Sequence, residues 1–387
     1  MSLKTKISLG ALLLATASPV YAFEDGKITI WTGANRDKAA LEQAVSAFTD
    51  DLGIEVVVEI VDPDLPQKFQ QAAATGDGPD IVMWAHDRFG EWAGGGLITP
   101  VDPSEGWSSG ILPSAMDAVQ FGGKTWGYPL TVEAVTLIYN KDLVATPPAS
   151  FEEIAAAEID GQKILWDYNN TYFTMPILMA GGGYAFQKVD GVYDGAATGV
   201  NTDGAIAGAE VLKSLFDDGV MPQGVDYGVM DGAMNNGEVA MVLNGPWSWA
   251  GFEGSGLNFG VAPIPTVNGN VSPPFLGVQA LGINAASPNA DLAVELIENY
   301  LATDEGLGTW NAQNGLGALA DVSAAVAQNN PLVTDMLAVA ANGIPMPSNP
   351  EMGAFWAAMG PALTNITTGA ASPADALNDA ASRILGE

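Results

Sequence analysis

Residues Thr75–Gly90 read TGDGPDIVMWAHDRFG. Within them, five consecutive apolar residues, Ile81–Ala85, follow a glycine-rich turn. A short continuous apolar run bounded by turn residues reads as a strand covered on both faces. Upstream, Ile28–Trp31 reads as a strand, and Leu41, Val45 and Phe48 recur at i, i+4 and i+7 as one helix face. Ile54, Val56, Val58 and Ile60 then alternate with Glu55, Val57 and Glu59 as a further strand. Strand, helix and strand in succession predict an α/β fold on a parallel sheet. The quoted strand runs straight into Trp84, Asp87 and Arg88. A flat aromatic face beside a carboxylate and a guanidinium suits a sugar. The ring covers the C–H side of a pyranose, and the charges bond its hydroxyls.

The second half of the chain has the same style. Leu137–Tyr139, Met241–Leu243 and Phe259–Pro263 read as strands. Val211, Leu212, Leu215 and Phe216 mark a helix face, as do Leu292, Leu296, Ile297, Tyr300 and Leu301. At the C-terminus Ser372-Pro373-Ala374-Asp375 supplies an N-cap, a proline at the first helical position and an early acid, with Leu377, Ala381 and Ile384 as the buried stripe. At 387 residues the chain exceeds one typical core, which predicts two domains. Pro/Gly-rich junctions near Tyr128–Thr131 and Pro273–Gly277 are candidate crossings between them.

Residues 1–22 read as an export leader: Lys4 and Lys6, an apolar run Ile7–Ala17, and small residues around Val20-Tyr21-Ala22. A periplasmic location follows from that leader. Without the leader the chain carries 11 basic against 45 acidic residues, a formal charge of −34. Such a surface repels nucleic acid and anionic membranes and suits either a salty habitat or a well-solvated periplasmic surface.

Most catalytic chemistry lacks its residues. There is no Cys and one His, His86, which no Gly-x-Ser-x-Gly elbow accompanies. His86 therefore reads as a hydrogen-bonded residue beside the strand end. One imidazole without thiolates is a poor transition-metal set. Asp190-Gly-Val-Tyr-Asp194-Gly lacks calcium-loop spacing, and no glycine fingerprint opens a helix for a nucleotide, so no metal or cofactor is expected. Paired carboxylates could serve a glycoside hydrolase, but among 45 acids pairs arise by chance. The aromatic residues carry more information. Trp31, Trp84, Trp126, Trp247 and Trp249 stand in Gly/Pro/Asn-rich stretches. In Asn244-Gly-Pro-Trp247-Ser-Trp249 the two rings, two residues apart, are expected on one side of an extended segment. Tyr172-Phe173 follow the polar Asn169-Asn170-Thr171. An aromatic cleft with a few polar groups is a small-molecule site.

Six ordered blocks resemble the periplasmic maltose/maltodextrin-binding proteins of ABC importers: ATGDGPDIVMWAHDRF at Ala74–Phe89, LIYNKDL at Leu137–Leu143, GGYAF at Gly182–Phe186, NGPW at Asn244–Trp247, GINAASPN at Gly282–Asn289 and NYLATDEGL at Asn299–Leu307. The resemblance implies two α/β lobes, each a sheet flanked by helices, hinged about a cleft, with residues 23–130 and 281–329 in one lobe and 131–280 and 330–387 in the other. It implies a monomeric receptor, not an enzyme, that closes on an α-glucoside and is read by an inner-membrane permease and, in some systems, a chemoreceptor. Position by position it implies Arg36, Trp84, Asp87, Arg88 and Glu133 on one side of the ligand. Asn170, Tyr172, Trp247 and Trp356 fall on the other, with Met346 flanking the cleft. Departures fall at Gly33, Asn35, Pro66, Asn170, Ala357 and Gly360, where the family has larger or charged residues. They imply trimmed contacts to some hydroxyls and to further glucose units. Trehalose or another α-linked disaccharide is the alternative ligand, and a glycoside hydrolase the remote alternative.

Overall fold

The computed structural model describes residues 23, 26–34, 36–189, 192–312 and 316–387. The expected leader at 1–22, Asn35 and Asp190 lie outside the described residues. The chain is a two-lobed α/β protein built on two main sheets. The strands are β1 (Lys27–Thr32), β2 (Glu55–Ile60), β3 (Ile81–Ala85), β4 (Tyr128–Ala134), β5 (Thr136–Asn140), β6 (Gln162–Leu165), β7 (Val239–Asn244), β8 (Phe259–Ala262), β9 (Phe275–Ile283), β10 (Ala318–Leu319) and β11 (Ile344–Pro345). The larger sheet runs β10-β4-β9-β3-β1-β2 with β11 beside β9, and the smaller runs β8-β5-β7-β6. Four of the helices matter below: α1 (Lys38–Ala44), α2 (Ser46–Leu52), α3 (Thr171–Met179) and α4 (Met352–Thr367).

The larger sheet is mixed, not parallel as the local alternation predicts. Only β2-β1-β3 and the short β9–β11 pair are parallel, while β9 enters antiparallel between β3 and β4. Both β4 and β9 arrive from far along the chain, so their direction is set by the return path and not by a neighbouring crossover helix. The helix expected around Leu41, Val45 and Phe48 is two helices. Asp37 caps α1 through Ala40 N–H at 3.1 Å, the chain breaks at Val45, and Gly53 in the left-handed conformation ends α2. All three apolar residues are nonetheless buried together.

Between the sheets the chain passes from β4 to β5 through the buried Val135 alone, and it returns from β8 to β9 through residues 263–274. One apolar core gathers residues from Ile28 to Leu130 and from Leu281 to Ala324. Another gathers residues from Ala134 to Val267, Phe275, Ala318 and Val333 to Ile384.

Candidate functional site

A cavity of about 710 Å³ is lined from both cores, and all ten residues singled out above border it. On the side of the larger sheet, the loop after β1 brings Arg36 inward. Its guanidinium donates from Nη2 to Glu133 Oε1 at 2.7 Å, and both side chains are buried. Glu133 stands on β4, two residues from Thr131, so the pleat puts both on one face. Gln279 on β9 donates to the other Glu133 oxygen at 3.1 Å. A buried carboxylate held by a guanidinium and an amide is fixed in orientation and remains an acceptor for ligand hydroxyls.

Trp84 sits near the end of β3, and the chain then tightens into one 3₁₀ turn, His86–Arg88. This turn aims Asp87 into the cavity. Burial pushes its carboxyl up to about 6, against the pull of Arg88 and of the hydrogen bond from Trp356 Nε1 at 2.8 Å. Arg88 also pairs with Glu91 at 3.0 Å. His86 is not a catalytic group. Its Nδ1 accepts from Val278 N–H at 3.0 Å, so Nε2 carries the proton and donates to the Met346 carbonyl at 2.9 Å. Burial pushes its pKa down to about 4. The imidazole therefore ties β3 to β9 and to the segment bearing Met346. Gly90 completes this joint, because a Cβ there would fall 1.6 Å from the Ser348 carbonyl oxygen.

The facing wall is aromatic. Asn170 caps α3 by accepting from Tyr172 N–H at 3.2 Å, which places Tyr172 at the mouth of the helix. The Tyr172 and Trp247 ring centroids are 6.0 Å apart, and Phe173 meets Trp247 edge-on at 6.0 Å. The Tyr172 hydroxyl donates to the Phe275 carbonyl at 3.4 Å, and burial with the nearby Glu133 and Asp87 carboxylates raises its pKa. Trp356, on α4, packs against Phe355 and Phe275 behind its bond to Asp87.

The two rings of Asn244–Trp249 do not share a side. Pro246–Ser248 forms a 3₁₀ turn and Trp249 begins a helix, so the two-residue spacing of an extended chain does not apply. Trp247 borders the cavity, whereas Trp249 is wholly buried in the core. Trp31 is a buried strand residue and Trp126 donates to the Phe121 carbonyl; neither borders the cavity. Of the departures, Gly33 and Asn170 border the cavity, while Pro66, Ala357 and Gly360 do not.

Asp62, Asp64, Tyr227, Asp231 and Gln279 also border the cavity, and sequence reading did not select them. Gln279 carried a usable signal as the one polar side chain in the nine-residue β9, FLGVQALGI. The three acids had none among so many carboxylates. Among the described residues, no cluster of three or more His, Asp or Glu could hold a metal ion, and no helix is long and apolar enough to cross a membrane.

The chain matches the bacterial extracellular solute-binding protein family over residues 43–335. It is 27% identical to the galactooligosaccharide-binding protein of Bacillus subtilis over 384 residues, covering 93% of this chain and 89% of that protein. It is 27% identical to the maltotriose-binding protein of Pyrococcus abyssi, covering 88% and 77% of the two chains. With the maltodextrin-binding protein MdxE of Bacillus subtilis the identity is 29%, covering 95% and 92%. Fold, cavity and family match agree: the chain belongs to the bacterial extracellular solute-binding proteins and is a binding protein, not an enzyme.

Proposed function

We propose that the protein captures maltose or a maltodextrin in this cavity and delivers it to the permease of an ABC importer. One observation carries the reading. Fixed charged groups (Arg36, Asp87, Arg88 and Glu133) line a single cavity together with the aromatic rings of Tyr172, Trp247 and Trp356. Its volume lies within the roughly 300–1,000 Å³ of small-molecule sites. A pyranose is amphipathic in the same sense, with hydroxyls around its rim and C–H bonds on its faces. The names of the relatives from Bacillus and Pyrococcus support an oligosaccharide as the ligand class.

On this reading the lobes are residues 23–130 with 281–329 and residues 131–280 with 330–387. The division of the two larger apolar cores near Leu130 and Leu281 supports the position of these limits, with Val132, Val278 and Ala280 on the crossing strands packed against residues of the first lobe. Ligand bridges the lobes and shifts an open–closed equilibrium toward closure, which the permease, and in some systems a chemoreceptor, then reads. The cavity is complete within one chain, which supports action as a monomer. The leader expected at residues 1–22 supports work in the periplasm. Another α-linked disaccharide, such as trehalose, is the second reading, favoured by the trimmed contact at Asn170.

The test is titration of the leaderless protein by Trp fluorescence and calorimetry with maltose, maltotriose, trehalose and a galactooligosaccharide. Micromolar binding of the maltose series is the expected result. Silence with maltose beside a clear response to another sugar would transfer the ligand and keep the receptor.

A further inference from the structure

We propose that Gln279 is a ligand-contacting residue that sets which sugar the cavity prefers, a step that rests on the sugar-receptor reading above. Three features of the floor point to it. Gln279 is the one polar side chain of β9, a strand with hydrogen-bonded neighbours on both sides. A glutamine in such a strand is unfavourable unless its amide is fully used. Its register sets it opposite Thr131 on β4, with Gly277 opposite Glu133, so these residues share the cavity face. The register slips just beyond Gln279, where Leu130 is the extra residue on β4, and bulges beside sites re-aim side chains.

The amide orientation is chemically fixed. A carboxylate only accepts, so the group bonded to Glu133 Oε2 at 3.1 Å must be the amide nitrogen. The amide oxygen is then the atom not turned to Glu133, and Gln279 borders the cavity. The nearby Gly277 keeps the cavity open, since a Cβ there would come within 3.3 Å of the Tyr172 hydroxyl and 3.5 Å of the Met346 methyl. Gln279 thus offers a ligand an acceptor oxygen and its second N–H, next to a carboxylate that offers only acceptors. Together they read one sugar hydroxyl as both donor and acceptor. A sugar lacking that hydroxyl, or presenting it on the other face, leaves the amide unpaired.

The experiment compares wild type, Gln279→Leu and Gln279→Asn by calorimetry on maltose, maltotriose, trehalose and a galactooligosaccharide, with thermal melts to confirm folding. Gln279→Asn retains the amide on a stem one methylene shorter, which keeps the comparison open should the leucine variant not fold. The expected result is a loss of roughly tenfold for the best ligand, with a smaller loss for the poorest, so that the ratio between them shrinks. A residue that merely braced Glu133 would weaken every ligand by one factor, and that outcome, like unchanged affinities, overturns the proposal. Wild-type protein silent with every sugar would remove the sugar reading and this inference together, an outcome distinct from a wild type that binds and variants that bind alike.

Discussion

At Asp87 the fold and a bound sugar would make opposite demands on one carboxyl. Burial raises its pKa from 3.8 to about 6, so the folded state holds this proton more tightly than the unfolded chain does. This contribution to stability is complete below pH 3.8 and is lost as pH rises through about 6. Sugar hydroxyls, by contrast, bond best to the charged form. The expected outcome is that sugar affinity falls as pH drops through about 6 while the isolated Asp87 contribution to stability rises. Asp87→Asn should flatten both trends and bind less tightly at pH 8; calorimetry and denaturant melts across pH 5 to 8 check this. A wild-type affinity that does not change across that range would remove the carboxylate from ligand binding. At this scale the sequence was informative where chemistry is rare. Trp84, Asp87 and Arg88 stood out because an aromatic ring and two charges cluster at a strand end. Asp62, Asp64 and Asp231 did not, because nothing local separates a carboxylate that faces a cavity from one that faces water.

Elements were legible where the backbone itself dictates a residue. Ser372 accepts from Asp375 N–H at 3.1 Å, as its place before Pro373 requires. The break at Val45 was not legible, because the apolar spacing is the same for one helix and for two. Some of the blocks that carry the family resemblance also prove to be structural locks. Asp80 accepts from Thr29 N–H, Ser287 Oγ and Asn289 Nδ2 at 2.8, 2.6 and 3.0 Å, and Asn284 donates to the Asp77 and Pro79 carbonyls. In this chain GPD and NAASPN therefore act as a pair that fastens β3 to the turn after β9. Asn170 joins cap and cavity in one residue. Asn170→Ala should lower stability by about 1 kcal/mol through the lost cap. Asn170→Asp should keep the cap and add a charged acceptor, tightening sugar binding with little change in stability. Urea melts and calorimetry on the two variants separate the roles, and an aspartate variant that binds no better would confine Asn170 to capping.

Over the whole molecule, sequence periodicity reports only neighbours in the chain. The contacts that assemble the site span far more of it: 97 residues from Arg36 to Glu133, 260 from His86 to Met346 and 269 from Asp87 to Trp356. Those pairings, and the antiparallel entry of β9, follow from how the chain returns between sheets and have no local signature. The matching blocks supplied the architecture that periodicity could not. Charge is another property of the whole. With 13 basic and 45 acidic residues the surface repels itself, and that repulsion is screened over about 10 Å at 0.1 M salt. The thermal midpoint is expected to rise with added sodium chloride, as scanning calorimetry from low salt to 1 M would record. A flat or falling midpoint would show that the acidic surface is already neutral in effect.

The lone imidazole of this chain has a spectroscopic consequence. With one His in 387 residues, the ring protons give an unlabelled proton spectrum with no overlapping histidine signals. The Nε2 proton, shielded from solvent and held by the Met346 carbonyl, is expected to exchange slowly and to resonate far downfield. Because its two partners lie on β9 and on the segment leading into α4, that resonance would serve as a built-in gauge of any movement of the cleft's edges on sugar binding.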